Sequence, residues 1–154
     1  MRDLVALPIS IEAFAPYGAV INSAERVDLD SQLVNLRAGA LPRLSVVPVP
    51  AVDLPVRLNE LERHSYSTQV FLPLDGADYL VAVAPPGSRP DATQIRAFIV
   101  GGNEGILYNA GVWHHAMRSL GRAARFGVFI FNDGTAADTE VVALSTAPRI
   151  VAAR

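Results

Sequence analysis

Apolar residues fall in short runs that alternate with polar positions or are cut by Gly, Pro, Asn and Asp, and no long stretch keeps a helical period. Strand patterning therefore dominates the chain. Residues 4–9 are apolar and broken by Pro8, after which Ser10-Ile11-Glu12-Ala13-Phe14 predicts one capped helical turn. Ser10 can accept from an orphan N–H, Glu12 suits the first turn, and Pro16-Tyr17-Gly18 stops it. A short strand follows at 19–21, then a polar, acidic stretch over 22–32 with little to bury. Residues 41–49 are β-branched but carry Pro42 and Pro48, so this strand must take a sheet edge or end at Val47. An extended segment resumes over 52–58 around Pro55.

The later strands are cleaner. Residues 68–74 form one, Asp75-Gly76 turns the chain, and 79–84 is the expected hairpin partner. Asp91 can cap a single turn after the proline-rich loop 85–90. Strands are then predicted at 95–100, 106–108, 112–119, 126–131 and 140–144. Many short strands with a single short N-terminal helix point to an all-β, antiparallel sandwich or barrel. At 154 residues the chain suits one domain spanning 1–154.

Composition narrows the chemistry. Charges and prolines interrupt every apolar run long before it could cross a membrane, and the start Met1-Arg2-Asp3 lacks the pattern of a secretory signal, so a cytoplasmic protein is expected. Cysteine is absent, which removes thiolate nucleophiles and thiolate metal ligands; lysine is absent too, which removes Schiff-base chemistry. The net charge of −2, with both signs interspersed, leaves no basic stripe for nucleic acid. A small-molecule partner fits best.

All three histidines lie in two segments, at His64 and at His114-His115. Imidazole is the commonest metal ligand and moves protons near neutral pH, so this concentration marks a candidate site. A buried, hydrogen-bonded core histidine is the competing reading for His114 or His115. By strand alternation Glu62, His64 and Tyr66 share one face, and His114 and Arg118 share another that excludes His115. Gln69 has the opposite parity from His64. It joins the same pocket only if the polar stretch Ser65-Tyr66-Ser67-Thr68 turns. Tyr66, Tyr108, Trp113 and Phe98 either wall a ligand pocket or, as aromatics in a sandwich usually do, fill the core.

These residues also carry a resemblance. Glu62-x-His64-x4-Gln69 with Gly76 beyond it, and Asn109-x-Gly111-x2-His114, resemble the two motifs of the cupin superfamily, with Glu62 standing for the first motif's leading histidine and Gln69 for its glutamate. Glu60-Leu61-Glu62-Arg63-His64, Thr68-Gln69-Val70-Phe71-Leu72-Pro73, Arg96-Ala97-Phe98-Ile99 and Gly105-x2-Tyr108-x4-Trp113-His114-His115 resemble the ureidoglycolate lyase family more specifically, as does Glu12-Ala13-Phe14-x2-Tyr17-Gly18. The likeness runs in order from about residue 5 to 131.

The resemblance implies a cupin-type fold (a double-stranded β-helix), a homodimer, and cleavage of ureidoglycolate to glyoxylate and urea in purine breakdown through allantoin. It implies catalytic roles for Glu62, His64 and His114, with Glu62 or His64 as base and His114 as acid or ligand. A divalent ion such as nickel, manganese or zinc would be held by His64, Gln69 and His114, with Glu62. Tyr66, Tyr108, Trp113 and Arg118 become candidates for binding the small carboxylate substrate. Polar positions usual in the family between residues 22 and 41, at Pro48 and at Ile130-Phe131 read differently here, which leaves Arg37, Arg43 or Arg118 to meet the substrate's anionic end. Two other readings stay open: a metal-free cupin that binds a small carboxylate without catalysis, and a metal-dependent cupin enzyme acting on another small acid.

Overall fold

The computed structural model describes residues 2–22 and 24–153. Met1, Ser23 and Arg154, which fall within the predicted domain and, for Ser23, within the polar stretch 22–32, lie outside the described residues. In chain order the strands are β1 (Asp3–Pro8), β2 (Gly18–Asn22), β3 (Leu41–Val49), β4 (Ala51–Val52), β5 (Val56–Arg57), β6 (Glu60–Arg63), β7 (Gln69–Pro73) and β8 (Tyr79–Ala84). They continue as β9 (Arg96–Val100), β10 (Glu104–Tyr108), β11 (Trp113–His114), β12 (Arg118–Leu120), β13 (Ala124–Asn132), β14 (Glu140–Ala143) and β15 (Arg149–Ala152). One short helix, α1 (Ile11–Phe14), sits where its cap residue places it, with the Ser10 hydroxyl accepting from Ala13 N at 3.1 Å.

Among the described residues the strands form two sheets. The larger runs β14-β6-β11-β8-β9-β1-β15-β5, with β12 and β4 attached beside β8; the smaller runs β2-β10-β7-β13-β3. This is the all-β, two-sheet sandwich expected. Most pairings are antiparallel, but β1 pairs in parallel with both β9 and β15, and β12 with β4.

Alternation along β8 shows how the layers are made. Tyr79, Val81 and Val83 face the smaller sheet and join Phe14, Phe71, Phe98, Ile106, Tyr108 and Phe126 in the inner core. Leu80, Ala82 and Ala84 face the other way, into a second core with Leu58, Leu61, Trp113 and Ile150. Burying each large apolar side chain contributes about 1.5–3 kcal/mol. The inner aromatics meet edge to face, as Tyr79 on Phe126 with ring centroids 5.0 Å apart, an arrangement favoured by their quadrupoles.

The expected hairpin of 68–74 with 79–84 does not form. β7 pairs with β10 and β13 in the smaller sheet, while β8 pairs with β9, β11 and β12 in the larger. The turn at Asp75-Gly76 carries the chain from one layer to the other, anchored by the Asp75 carboxylate accepting from Arg125 N at 2.7 Å. A strand buried on both faces needs neighbours on both edges, and β8 finds them only in the interior of the larger sheet. The predicted strand 112–119 is likewise split into β11 and β12, because 115–117 leave the ladder. β3 does take an edge, paired with β13 alone, and there its prolines cost no ladder bond to a further strand. β15 is a strand that periodicity did not indicate.

Candidate active site

Glu62 on β6 stands directly opposite His114 on β11, so their side chains leave the sheet on the same face. His64 follows β6 by one residue, and its carbonyl accepts from Gly111 N at 2.9 Å. Gly111 makes that contact with φ +81°, a left-handed conformation that suits glycine. Beyond His64 the chain turns at Ser65-Tyr66 and enters β7 in the other sheet. That turn restores the parity of Gln69, which lines the same cavity as Glu62 from the opposite layer.

Ligand atoms of Glu62, His64 and His114 all lie within 4.8 Å of one another. His114 Nε2 is 3.7 Å from Glu62 Oε1, and the two imidazole centroids are 5.2 Å apart. Backbone carbonyls set both tautomers. His64 Nδ1 donates to Asp138 O at 2.9 Å, with Thr139 Oγ1 at 3.3 Å, and His114 Nδ1 donates to Val112 O at 3.0 Å. Each ring therefore carries its proton on Nδ1 and a lone pair on Nε2. Both Nε2 atoms are buried without a hydrogen-bond partner, as is Gln69 Oε1.

Burial raises the Glu62 carboxyl above the ordinary carboxylate range, an effect that the neighbouring His64 partly offsets. Burial, and then the nearby His64, depress His114 to about 3, so its ring is neutral at physiological pH. Each orphaned buried polar atom costs about 1–3 kcal/mol, and two converging imidazole lone pairs beside a carboxylate are a donor set suited to a divalent ion of intermediate softness. The residues present fit such an ion: His64 and His114 through ring nitrogen and Glu62 through its carboxylate, with ligand atoms within 4.8 Å of one another.

A cavity of about 260 Å³ meets this cluster at Glu62 and is lined also by Gln69, Met117, Arg118 and Val128. Arg118 also borders an adjacent cavity of about 340 Å³ that contains His115, Arg57 and Glu60. His115 is thus parted from His114, as strand parity requires; burial, and then Arg118, depress it to about 4. Tyr108 lies against the cluster, its ring stacked on His114 at 4.3 Å and 14°, and its buried hydroxyl has no partner. Burial, and then Glu62, raise the Tyr108 phenol so that it keeps its proton.

Three of the four expected pocket aromatics are elsewhere. Tyr66 is on the turn, 43% exposed, with the Arg37 guanidinium 5.2 Å from its ring centre. A strand would have kept it beside Glu62, but the turn that brings in Gln69 throws Tyr66 outward. Trp113, one residue from His114, points into the second core, where its indole N–H donates to Gly87 O at 3.1 Å. Phe98 packs against Phe14 in the inner core. Of the other arginines, Arg37 is held by Asp133 and Asp138, and Arg43 is exposed on edge strand β3. The carbonyls of Asp138 and Val112, which orient the two imidazoles, escape sequence reading; the turn residues Asp133-Gly134 mark a loop there but not what it touches.

Known proteins share similarity with this chain. The family model described as ureidoglycolate lyase matches residues 1–151. A protein named ureidoglycolate lyase from Pseudomonas fluorescens is 37% identical over 135 residues, covering 78% of this chain and 79% of that protein. One of the same name from Escherichia coli strain SMS-3-5 is 35% identical over 134 residues, covering 80% of this chain and 84% of that protein. Among solved structures, RmlC from Streptococcus suis in complex with dTDP-D-xylose aligns at TM-score 0.44 and 10% identity, over 83% of this chain and 56% of that chain.

Proposed function

This chain belongs to the ureidoglycolate lyase family, and from that premise we propose how its own residues carry the reaction. It is a ureidoglycolate lyase-like enzyme that cleaves ureidoglycolate to glyoxylate and urea. Cleavage moves one proton from the carbinol hydroxyl to the departing nitrogen while the C–O bond becomes a carbonyl and the C–N bond breaks. Nothing else enters or leaves.

Glu62 is the proton carrier. Its carboxylate takes the hydroxyl proton, and the carboxyl so formed returns it to the urea nitrogen, one group serving as base and then as acid. The burial that raises its affinity for protons suits it to that shuttle. His64 and His114 are the primary holders of a divalent ion, with Gln69 as a further oxygen donor and Glu62 close enough to share. When bound, such an ion supplies positive charge beside the substrate's hydroxyl and carboxylate oxygens. Arg118, which lines the same cavity and stands close enough to Glu62 to lower its proton affinity, meets the substrate carboxylate. Tyr108 holds the His114 ring by stacking and presents a protonated hydroxyl.

The observation that carries this reading is the pair of buried, partnerless Nε2 atoms of His64 and His114, the latter 3.7 Å from the Glu62 carboxylate. Metal analysis after dialysis against nickel, manganese or zinc tests it: about one equivalent per chain is expected, and none when His64 and His114 are both replaced by alanine. Equal metal content in the two proteins would refute it.

The setting we propose is purine breakdown through allantoin in the cytoplasm. We propose also that the working form is a homodimer. Edge strand β3 exposes Leu41, Leu44 and Val46 at 67%, 78% and 63%, and an exposed apolar edge strand invites pairing with another chain.

A further inference from the structure

Arg37 lies outside the cavity, yet it grips both flanks of His64. Its Nη1 pairs with Asp133 Oδ2 at 3.1 Å and its Nη2 with Asp138 Oδ1, and the guanidinium lies over the Tyr66 ring two residues beyond His64. The Asp138 carboxylate in turn accepts from Asp133 N at 3.0 Å and from Gly134 N at 2.7 Å, closing the loop 133–138 on itself. The carbonyl of that same Asp138 is the acceptor for His64 Nδ1. On the other flank, Leu36 N donates to Tyr66 O at 2.8 Å and Thr68 N to Val34 O at 3.1 Å. One buried guanidinium thus ties the loop that orients the imidazole to the turn that carries it.

A free cation here could have served as an anion receptor. With two carboxylates on it, Arg37 has no charge to spare for a substrate. The ring nitrogen opposite a metal-binding one takes its tautomer from what it donates to, and such supporting partners typically matter 10- to 100-fold in metal affinity. We propose that Arg37 and Asp138 are positioning residues, which hold the Asp138 carbonyl against His64 so that its proton stays on Nδ1 and its Nε2 lone pair faces Glu62 and His114. The proposal rests on the reading of His64 as a metal-binding residue.

Two readouts on the metal-free protein and its zinc complex test it. Nitrogen-15 NMR of the His64 ring reports the tautomer directly, and competition with a coloured chelator reports zinc affinity. The wild type is expected to show the Nδ1–H form. In Arg37→Met a mixture of tautomers and a zinc affinity about 10- to 100-fold weaker are expected, with Arg37→Lys, which keeps the cation but not the fork, in between. Asp138→Asn removes the charge while keeping the carbonyl, and replaces Arg37→Met if that variant does not fold; the same direction is expected. An Nε2–H wild-type ring overturns the proposal without any variant. So does a folded Arg37→Met protein with an unchanged tautomer. A tautomer shift in Arg37→Met alongside a wild type that binds no zinc would uphold the clamp and sink the metal reading instead.

Discussion

His114 Nε2 and Glu62 Oε1 face each other at 3.7 Å across the β6–β11 ladder, the one nitrogen buried and without a hydrogen-bond partner, the other group raised in proton affinity by burial. Neither is stable as it stands: a neutral imidazole and a carboxylate at that separation leave a lone pair facing a lone pair. A proton or a divalent ion between them removes the conflict.

Replacing Glu62 by Gln keeps the shape and removes the proton carrier. Turnover is expected to fall by about 10²- to 10⁴-fold, the usual contribution of a positioned general base, with the thermal midpoint unchanged or slightly raised because a buried charge is gone. Steady-state rates and a melting curve check it. A variant with wild-type rates would remove Glu62 from the mechanism.

Arg118 should act on binding. Loss of one partner of a desolvated charge pair costs about 2–5 kcal/mol, so Arg118→Met is expected to lower kcat/KM at least 30-fold, chiefly through KM, and to leave metal content unchanged. Kinetics together with metal analysis separate this from a structural effect, which would lower both.

How much of this was legible beforehand follows from which forces are local. Strand alternation sufficed to bring Glu62 and His64 together, and one polar turn to add Gln69 to the cavity that Glu62 lines, because both follow from neighbours in sequence. The same turn put Tyr66 outside, since a residue within a reversal loses its strand parity. Trp113 went to the second core for the reason that His114 came to the first: adjacent strand residues face opposite ways, and here both faces are buried. Sheet membership was not legible. Asp75-Gly76 signals a reversal in either case, and only the two-sided burial of β8 decides that the chain changes layer. The carbonyls of Asp138 and Val112 were invisible for a different reason, as every residue has one and only tertiary packing selects which meets a histidine.

The acid sensitivity of the metal-free protein follows from the histidines. His114 sits at about 3 and His115 at about 4 in the folded state, against about 6.5 when unfolded. The unfolded chain then binds more protons below pH 6.5, so the stability from keeping these rings neutral is full above that pH and is lost as pH falls toward 4. Each such proton is worth about 1.4 kcal/mol per pH unit. Denaturant melts of the metal-free protein between pH 7 and pH 5 should show this decline, with a shallower slope in His115→Gln. A flat profile would contradict the buried, neutral assignment.

The homodimer has its own check. Leu44→Glu places a charge on the exposed stripe of β3 and should convert a dimer to a monomer in sedimentation velocity without altering the fold. A wild type that sediments as a monomer would refute the dimer.

The most direct test of the central claim is release of urea and glyoxylate from ureidoglycolate by the purified protein, followed before chelation, after it, and with nickel, manganese or zinc restored singly. Equimolar release that stops on chelation, returns with at least one ion, and is absent in Glu62→Gln is the expected result. Release that is indifferent to chelation and persists in Glu62→Gln would contradict the account.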